Sequence, residues 1–410
     1  METGDIDRLR HPDEALAMIL ARARPLPIER IPLAEAAWQV LADDVVAEED
    51  HPPFPAATMD GYAVVAGDGS PWREVIGEQT AGFVLDEEVT EGTAVRITTG
   101  SPVPPGANAV VPVEETETAE DHVIVHRLDV RPGENIRGVG ADLRRGTRIL
   151  PAGCILGPAE LGIIAGLGAV PVPVRRRPRV SVVSTGNELV DPGERPAPGQ
   201  IRDSNRFSLA AALGGAGADV VWTGKAPDER AALRSLLAER IAASDVVVTS
   251  GGVSMGELDL VKALLGELAE VHFRRVFMKP GKPLNFATTD RTLVFGLPGN
   301  PVSALVSLEL FVKPALAVLS GGGAVARARV PVTLARETAA SDRIEFQRAT
   351  VRVTDDGRLR ATTTGSQSSS RLASFVGANA LVIIPPRPHP YAAGELVDAV
   401  LLGLPLPATG

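Results

Sequence analysis

The sequence predicts an α/β multidomain protein built around a doubly wound parallel sheet. Three observations predict it. Between residues 179 and 323, short and almost wholly apolar runs alternate with helix-length segments, the pattern of strands covered on both faces. Residues 51–142 instead carry brief β-like runs such as YAVVA, AVRITTG and HVIVHRL, divided by Gly and Pro. At 410 residues the chain is also too long for one ordinary core.

The elements follow in order. Two helical patterns open the chain, at 12–23 with Pro and acids in the first turn, and at 33–42. Residues 143–177 have no counterpart nearby and are expected to return to those helices, so that 1–50 plus 143–178 form one discontinuous N-terminal helical or mixed domain. Residues 51–142 form a β-rich second domain. The RRRPR run at 175–179 reads as a solvated linker into the α/β domain, 179–323. Its strand candidates are 180–184, 219–223, 245–249, 272–278 and 293–296; its helix candidates are 206–213, 228–242, 257–268 and 302–319. After GGG at 321–323, the runs VPVTLARE, FQRATVRVT, LRATTT, ALVIIPP and LVDAVLL predict a small all-β C-terminal domain at 324–410.

Composition narrows the function. A formal charge of −10 argues against a nucleic-acid partner, so any anion binding must be local. The single cysteine, Cys154, cannot make an internal disulfide and fits a reducing compartment as a small core residue. The first residues carry charges throughout, unlike a signal peptide. The longest apolar run, 161–174, is interrupted by Pro171 and Pro173 and is too short to span a bilayer. A soluble cytoplasmic protein without membrane insertion is expected.

In an open parallel sheet, ligands sit beyond the carboxyl ends of the strands. Three loops at such ends share one chemistry: STGNEL (184–189), TSGGVSMGELD (249–259) and GLPGNPVSA (296–304). Glycine turns let backbone amides face an anion, and hydroxyls add donors. Ser184, Thr185, Gly186, Ser250, Gly251, Gly252, Ser254, Pro298, Asn300 and Pro301 are therefore the candidate ligand-binding residues. Glu257 as an acid in a first helical turn, with Ser254 as N-cap, would explain one loop on structural grounds alone. Three loops at one sheet edge, with Glu188 and Asp259 presented there, favour a Mg²⁺ and phosphate site. Neither a P-loop nor a GxGxxG fingerprint is present.

The stretch MKPGKPLNF (278–286) holds Lys279 and Lys282 in a proline-stiffened turn suited to an anion. Asp60 in MDGYAV is ambiguous, because Asp-Gly before alternating residues is also a hairpin signal. Thr99 and Asp142 lie on similar turns and are weak taken singly. RIEFQRA and GSQSSSRLASFVGANAL contribute Arg348 and a serine cluster.

MDGYAV, TTGSPVPPGANAVV, STGNEL, SGGVSMGELD, MKPGKP, LPGNPVSA and GSQSSSRLASFVGANAL occur in this order over nearly the whole chain. Together they resemble the molybdopterin molybdenumtransferase family, to which the gephyrin E-domain belongs. The resemblance implies insertion of molybdenum from molybdate into adenylylated molybdopterin, with Mg²⁺-assisted release of AMP. It also implies a homodimer of four-domain subunits in which Asp60, Thr99 and Asp142 face the sheet domain of the other chain, and contact with other molybdenum-cofactor biosynthesis proteins. By motif match, Glu188, Asp228 and Asp259 fall in the metal and nucleotide-phosphate region, and Lys279, Lys282, Arg348 and Ser369 are candidates for molybdate. Asn187, Met255, Ser101 and Asn108 depart from the commonest family pattern, while the acidic residues are retained. A gephyrin-like scaffold that binds a cytoskeletal or membrane-protein partner is the alternative.

Overall fold

The computed structural model describes residues 3–226, 229–251, 260–322 and 329–407. Two compact units account for the chain: residues 1–42, 153–157 and 171–410, and residues 43–152 with 158–170.

The first unit contains a seven-stranded sheet: β1 (Leu9–Arg10), β2 (Arg179–Ser184), β3 (Asp219–Lys225), β4 (Val246–Ser250), β5 (Glu270–Val276), β6 (Pro283–Thr288) and β7 (Leu293–Leu297). The spatial order is β1-β5-β6-β7-β4-β2-β3. Strands β3, β2, β4 and β7 are parallel neighbours. The exception is β6, antiparallel to both β5 and β7. The sequence pattern places PLNFAT in a stiff turn because prolines precede it, yet from Leu284 to Ala287 every side chain is buried.

Strand period explains the two helical layers. Val180, Val182, Val246, Val248 and Phe295 share one core with α1 (Pro12–Leu20), α2 (Asn205–Gly214) and the long helix α5 (Pro301–Leu319). Val183, Val247 and Val294 point the other way, into a core with α3 (Arg230–Ala243) and α4 (Leu260–Leu268). Each buried Val or Leu contributes about 1.5–3 kcal/mol. By length and composition α5 could cross a membrane, but 72% of it is buried here, as in a core helix.

The predicted helix at 33–42 is absent. Only Leu33–Glu35 makes a 3₁₀ turn, Trp38 has φ 62°, and Val40 and Leu41 bridge to Ile155 and Val174. Long-range pairing has overridden a moderate helix propensity. Val172–Arg175 likewise returns to pair with Ile28–Ile31. Cys154 is half-buried. The last strands of this unit, from Arg329–Leu334 to Leu396–Leu401, form a sheet in which Ile344–Val353 pairs at both ends, closing it as a barrel-like all-β domain.

The second unit holds a six-stranded sheet ordered Ala109–Pro112, Gly61–Val64, Thr93–Ile97, Trp72–Gln79, His122–Val125 and Thr116–Ala119. Its core is small and valine-rich, around Val64, Val111, Val123 and Val125.

Candidate functional site

Strands β2, β4 and β7 end side by side, with Ser184, Ser250 and Leu297 in register. Backbone bonds continue just past them: Thr185 N–H donates to the Ser250 carbonyl at 3.0 Å, and Gly251 N–H to the Leu297 carbonyl at 3.2 Å. The loops are thus stitched together at their roots. A cleft of about 780 Å³ lies over them, lined by Ser184, Thr185, Gly186, Glu188, Ser250, Gly251, Pro298, Asn300 and Pro301. This volume lies within the range of small-molecule sites.

Glycine is required at Gly251. Its φ is 91°, and a Cβ there would stand 2.6 Å from the Thr185 carbonyl oxygen. Asn300 stands at the N-cap position of α5 without a side-chain cap bond, and the serine loop of the barrel-like domain meets that end. Asn300 Nδ2 donates to Ser369 Oγ at 3.1 Å, and Val302 N–H to the Ser369 carbonyl at 3.1 Å. Ser369 therefore reaches the cleft through Asn300, and Ser370 lines it directly.

Glu188 is exposed at the rim, its carboxylate folded over Gly186. The other cleft acid, Asp203, accepts from Arg206 N–H at 3.1 Å and faces the Arg206 guanidinium. Among the described residues no group of three His, Cys, Asp or Glu could hold a metal ion. Asp228, Gly252, Ser254 and Asp259 lie outside the described residues. The carboxylate at Glu188 fits Mg²⁺, which is commonly held by one or two carboxylates together with substrate phosphates.

Pro283 of the lysine turn lines this cleft, but neither Lys279 nor Lys282 does. Lys279 Nζ donates to Glu345 Oε1 at 2.8 Å. Burial works against the Glu345 charge, but bonds from Lys279, Ser341 and Gln347 outweigh it and hold the carboxyl below its usual range. Lys282 is half-buried beside that turn, and its carbonyl accepts from Val276 N–H.

Arg348 is not on the surface. It is fully buried, with Nε bonded to Ser374 Oγ at 3.0 Å and Nη2 to the carbonyls of Ser366 and Ser368 at 3.2 Å each. Burial pushes its pKa down to about 10. Its place is beneath the serine loop, which it shapes, rather than on the loop's open face.

In the second unit, Asp60 and Thr99 are brought together. Asp60 Oδ1 accepts from Thr99 N–H at 2.7 Å and from Thr99 Oγ1 at 2.8 Å, and these two bonds hold the carboxyl below its usual range. Asp142 pairs with Arg137, whose strand partner is Ala56, and Ala57 accepts from Gly100 N–H. The turns carrying Asp60, Thr99 and Asp142 thus share one side of this unit.

Sequence reasoning missed Asp203, Asn205 and Ser370, all cleft residues. The signal was RDSN before a helix, since Asp, Ser and Asn favour helix starts. Two further clefts in the first unit, of about 480 and 720 Å³, lie where the strands begin, around Arg176, Asp245 and Thr292. Neither holds a candidate residue.

Comparison with known proteins bears on the same residues. Residues 10–168 match the family description "MoeA N-terminal region (domain I and II)", 181–318 "Probable molybdopterin binding domain", and 331–402 "MoeA C-terminal region (domain IV)". Molybdopterin molybdenumtransferase of Haemophilus influenzae is 35% identical over 91% of this chain and 93% of its own. Molybdopterin molybdenumtransferase 2 of Mycobacterium tuberculosis is 39% identical over 92% and 95%. Gephyrin of Dictyostelium discoideum is 35% identical over 95% of this chain, which spans 62% of that protein's length. The crystal structure of a molybdopterin biosynthesis moeA protein from Pyrococcus horikoshii superimposes with a TM-score of 0.79 at 31% identity, covering 96% of this chain and 100% of that one.

Proposed function

The chain belongs to the MoeA family of molybdopterin molybdenumtransferases, and from this we propose that it inserts molybdenum from molybdate into adenylylated molybdopterin, releasing AMP. One observation carries the reading: three Gly- and Ser-bearing loops, stitched by backbone bonds at adjacent strand ends, line one cleft. The backbone bonds of Thr185 and Gly251 fix the loops, so that a hydroxyl such as Ser250, which accepts from Asn205 and keeps its own proton to donate, meets phosphate oxygens without reorganising as charge develops.

In this reading Gly186 and Ser250 meet the phosphates, on loops that Thr185 and Gly251 hold in place. Glu188, with Asp228 and Asp259, would hold Mg²⁺, which neutralises phosphate charge when bound. Lys279, Lys282 and Ser369 receive molybdate, and Arg348 positions the serine loop from below. Asp60, Thr99 and Asp142 complete the site of a partner subunit in a homodimer. The single cysteine fits a reducing compartment, and in this reading the protein works in the cytoplasm.

The test is reconstitution with adenylylated molybdopterin, molybdate and Mg²⁺, following AMP release. Glu188→Ala should lower the rate by about 10²-fold or more with the fold intact, and chelation of divalent ions should abolish it. Full activity in that variant, or in excess chelator, contradicts the assigned roles.

A further inference from the structure

Asn205 opens α2 on the wall of the cleft and is only 9% exposed. Its Nδ2 donates to Ser250 Oγ and to the Gly299 carbonyl, each at 2.7 Å. A carbonyl can only accept, so the bond to Gly299 fixes which way the amide faces. The nitrogen points to the two loops and Oδ1 points away from them. Oδ1 is buried and has no donor among the described residues.

Two polar neighbours in sequence face other groups. Ser208 Oγ donates to the Asn205 backbone carbonyl, and Arg206 faces Asp203 and Asp191. A buried acceptor left without a donor is costly, and native structures rarely keep one without a reason. The missing partner must bear N–H or O–H. Phosphate oxygens, which are acceptors at neutral pH, do not qualify. The bound substrate instead carries such donors on its pterin and on its adenosine, whose adenine bears N–H and whose ribose bears O–H groups.

Resting on the reading of this cleft as the molybdopterin site, we propose that Asn205 Oδ1 accepts a hydrogen bond from an N–H or O–H of the substrate's pterin or adenosine, while Nδ2 keeps Ser250 and Gly299 in place. Asn205 then both clamps the phosphate loops and selects what sits above them. A ligand with a hydrogen-bond acceptor at that point would meet oxygen against oxygen and be rejected.

The experiment measures equilibrium binding of molybdopterin and of AMP separately, in wild type and in Asn205→Ala, with folding checked by circular dichroism. Should Asn205→Ala fail to fold, Asn205→Ser takes its place. The expected result is a selective loss of about tenfold or more, for molybdopterin if the pterin is the donor or for AMP if the adenosine is. KM for the adenylylated substrate should rise with kcat little changed. Equal loss for both ligands, the mark of a clamp alone, overturns the proposal, as does no loss for either. Wild-type protein that binds neither ligand defeats the parent reading instead.

Discussion

Gly251 concentrates the local logic of the site. Its positive φ and its closeness to the Thr185 carbonyl allow no side chain. Gly251→Ala should cost about 2 kcal/mol or more of stability in urea unfolding, together with most of the activity; a variant of unchanged stability would contradict the geometry. At Asp60, the Thr99 backbone amide is the larger cause of the lowered pKa and the hydroxyl the smaller. Thr99→Val should therefore raise that pKa only part of the way, leaving it below 3.8 in an NMR titration; a value at or above 3.8 would show that the hydroxyl dominates. The sign follows from linkage: this pairing favours the fold above the unfolded pKa and is lost as pH falls through the folded one. Thr185, Ser250, Gly251 and Asn300 were legible in the sequence, because hydroxyls and glycines after apolar strands have few other uses. Asn205 was not, because its importance lies in two bonds to residues 45 and 94 positions away. Arg348 was legible as a cation, but its burial depends on barrel closure and leaves no local trace.

The elements show where periodicity succeeds. Strands β2, β3, β4 and β7 and helices α2 to α5 fall close to their predicted places, since each is buried along a face or stripe that the apolar residues mark. Strand β6 escaped because prolines at 280 and 283 resemble a turn, and only its pairing with β5 and β7 reveals it. Within α5 the turn Leu308–Val312 is a π-turn just before Pro314, whose ring nitrogen cannot donate to the helix ladder. The β5–β6 pair also carries a buried histidine. His272 Nε2 and Thr288 Oγ1 are 2.7 Å apart, and burial, with a smaller effect of Arg22, lowers the imidazole pKa. The unfolded chain takes up the proton near 6.5 while the native state resists it. Acidification from pH 7.5 to 5.5 should thus destabilise wild type more than His272→Gln, read by urea midpoints; equal losses would show that His272 is not the group responsible.

For the whole molecule, the proposed anion site is a local feature of an acidic chain. In that reading the polar groups of the sheet's carboxyl edge would supply the attraction that net charge does not. That edge could be anticipated from the order of strands and glycine loops, and the family from the order of motifs. The division of the chain between its two units was less legible, because Leu41, Cys154 and Val174 come together through pairings between distant segments. If the turns bearing Asp60, Thr99 and Asp142 serve a partner's cleft, light scattering should give twice the chain mass. Asp142→Ala mixed with Glu188→Ala should then recover activity that neither shows alone, provided subunits exchange; no recovery after demonstrated exchange would place these residues outside a shared site.

The most direct measurement is a crystal structure of the protein with AMP bound. The phosphate should lie within hydrogen-bond distance of Thr185, Ser250 or Gly251, with the rest of the nucleotide in the cleft beside Asn205 and Pro298. AMP bound instead at the opposite end of the sheet, among Arg22, His272 and Arg291, would contradict the account.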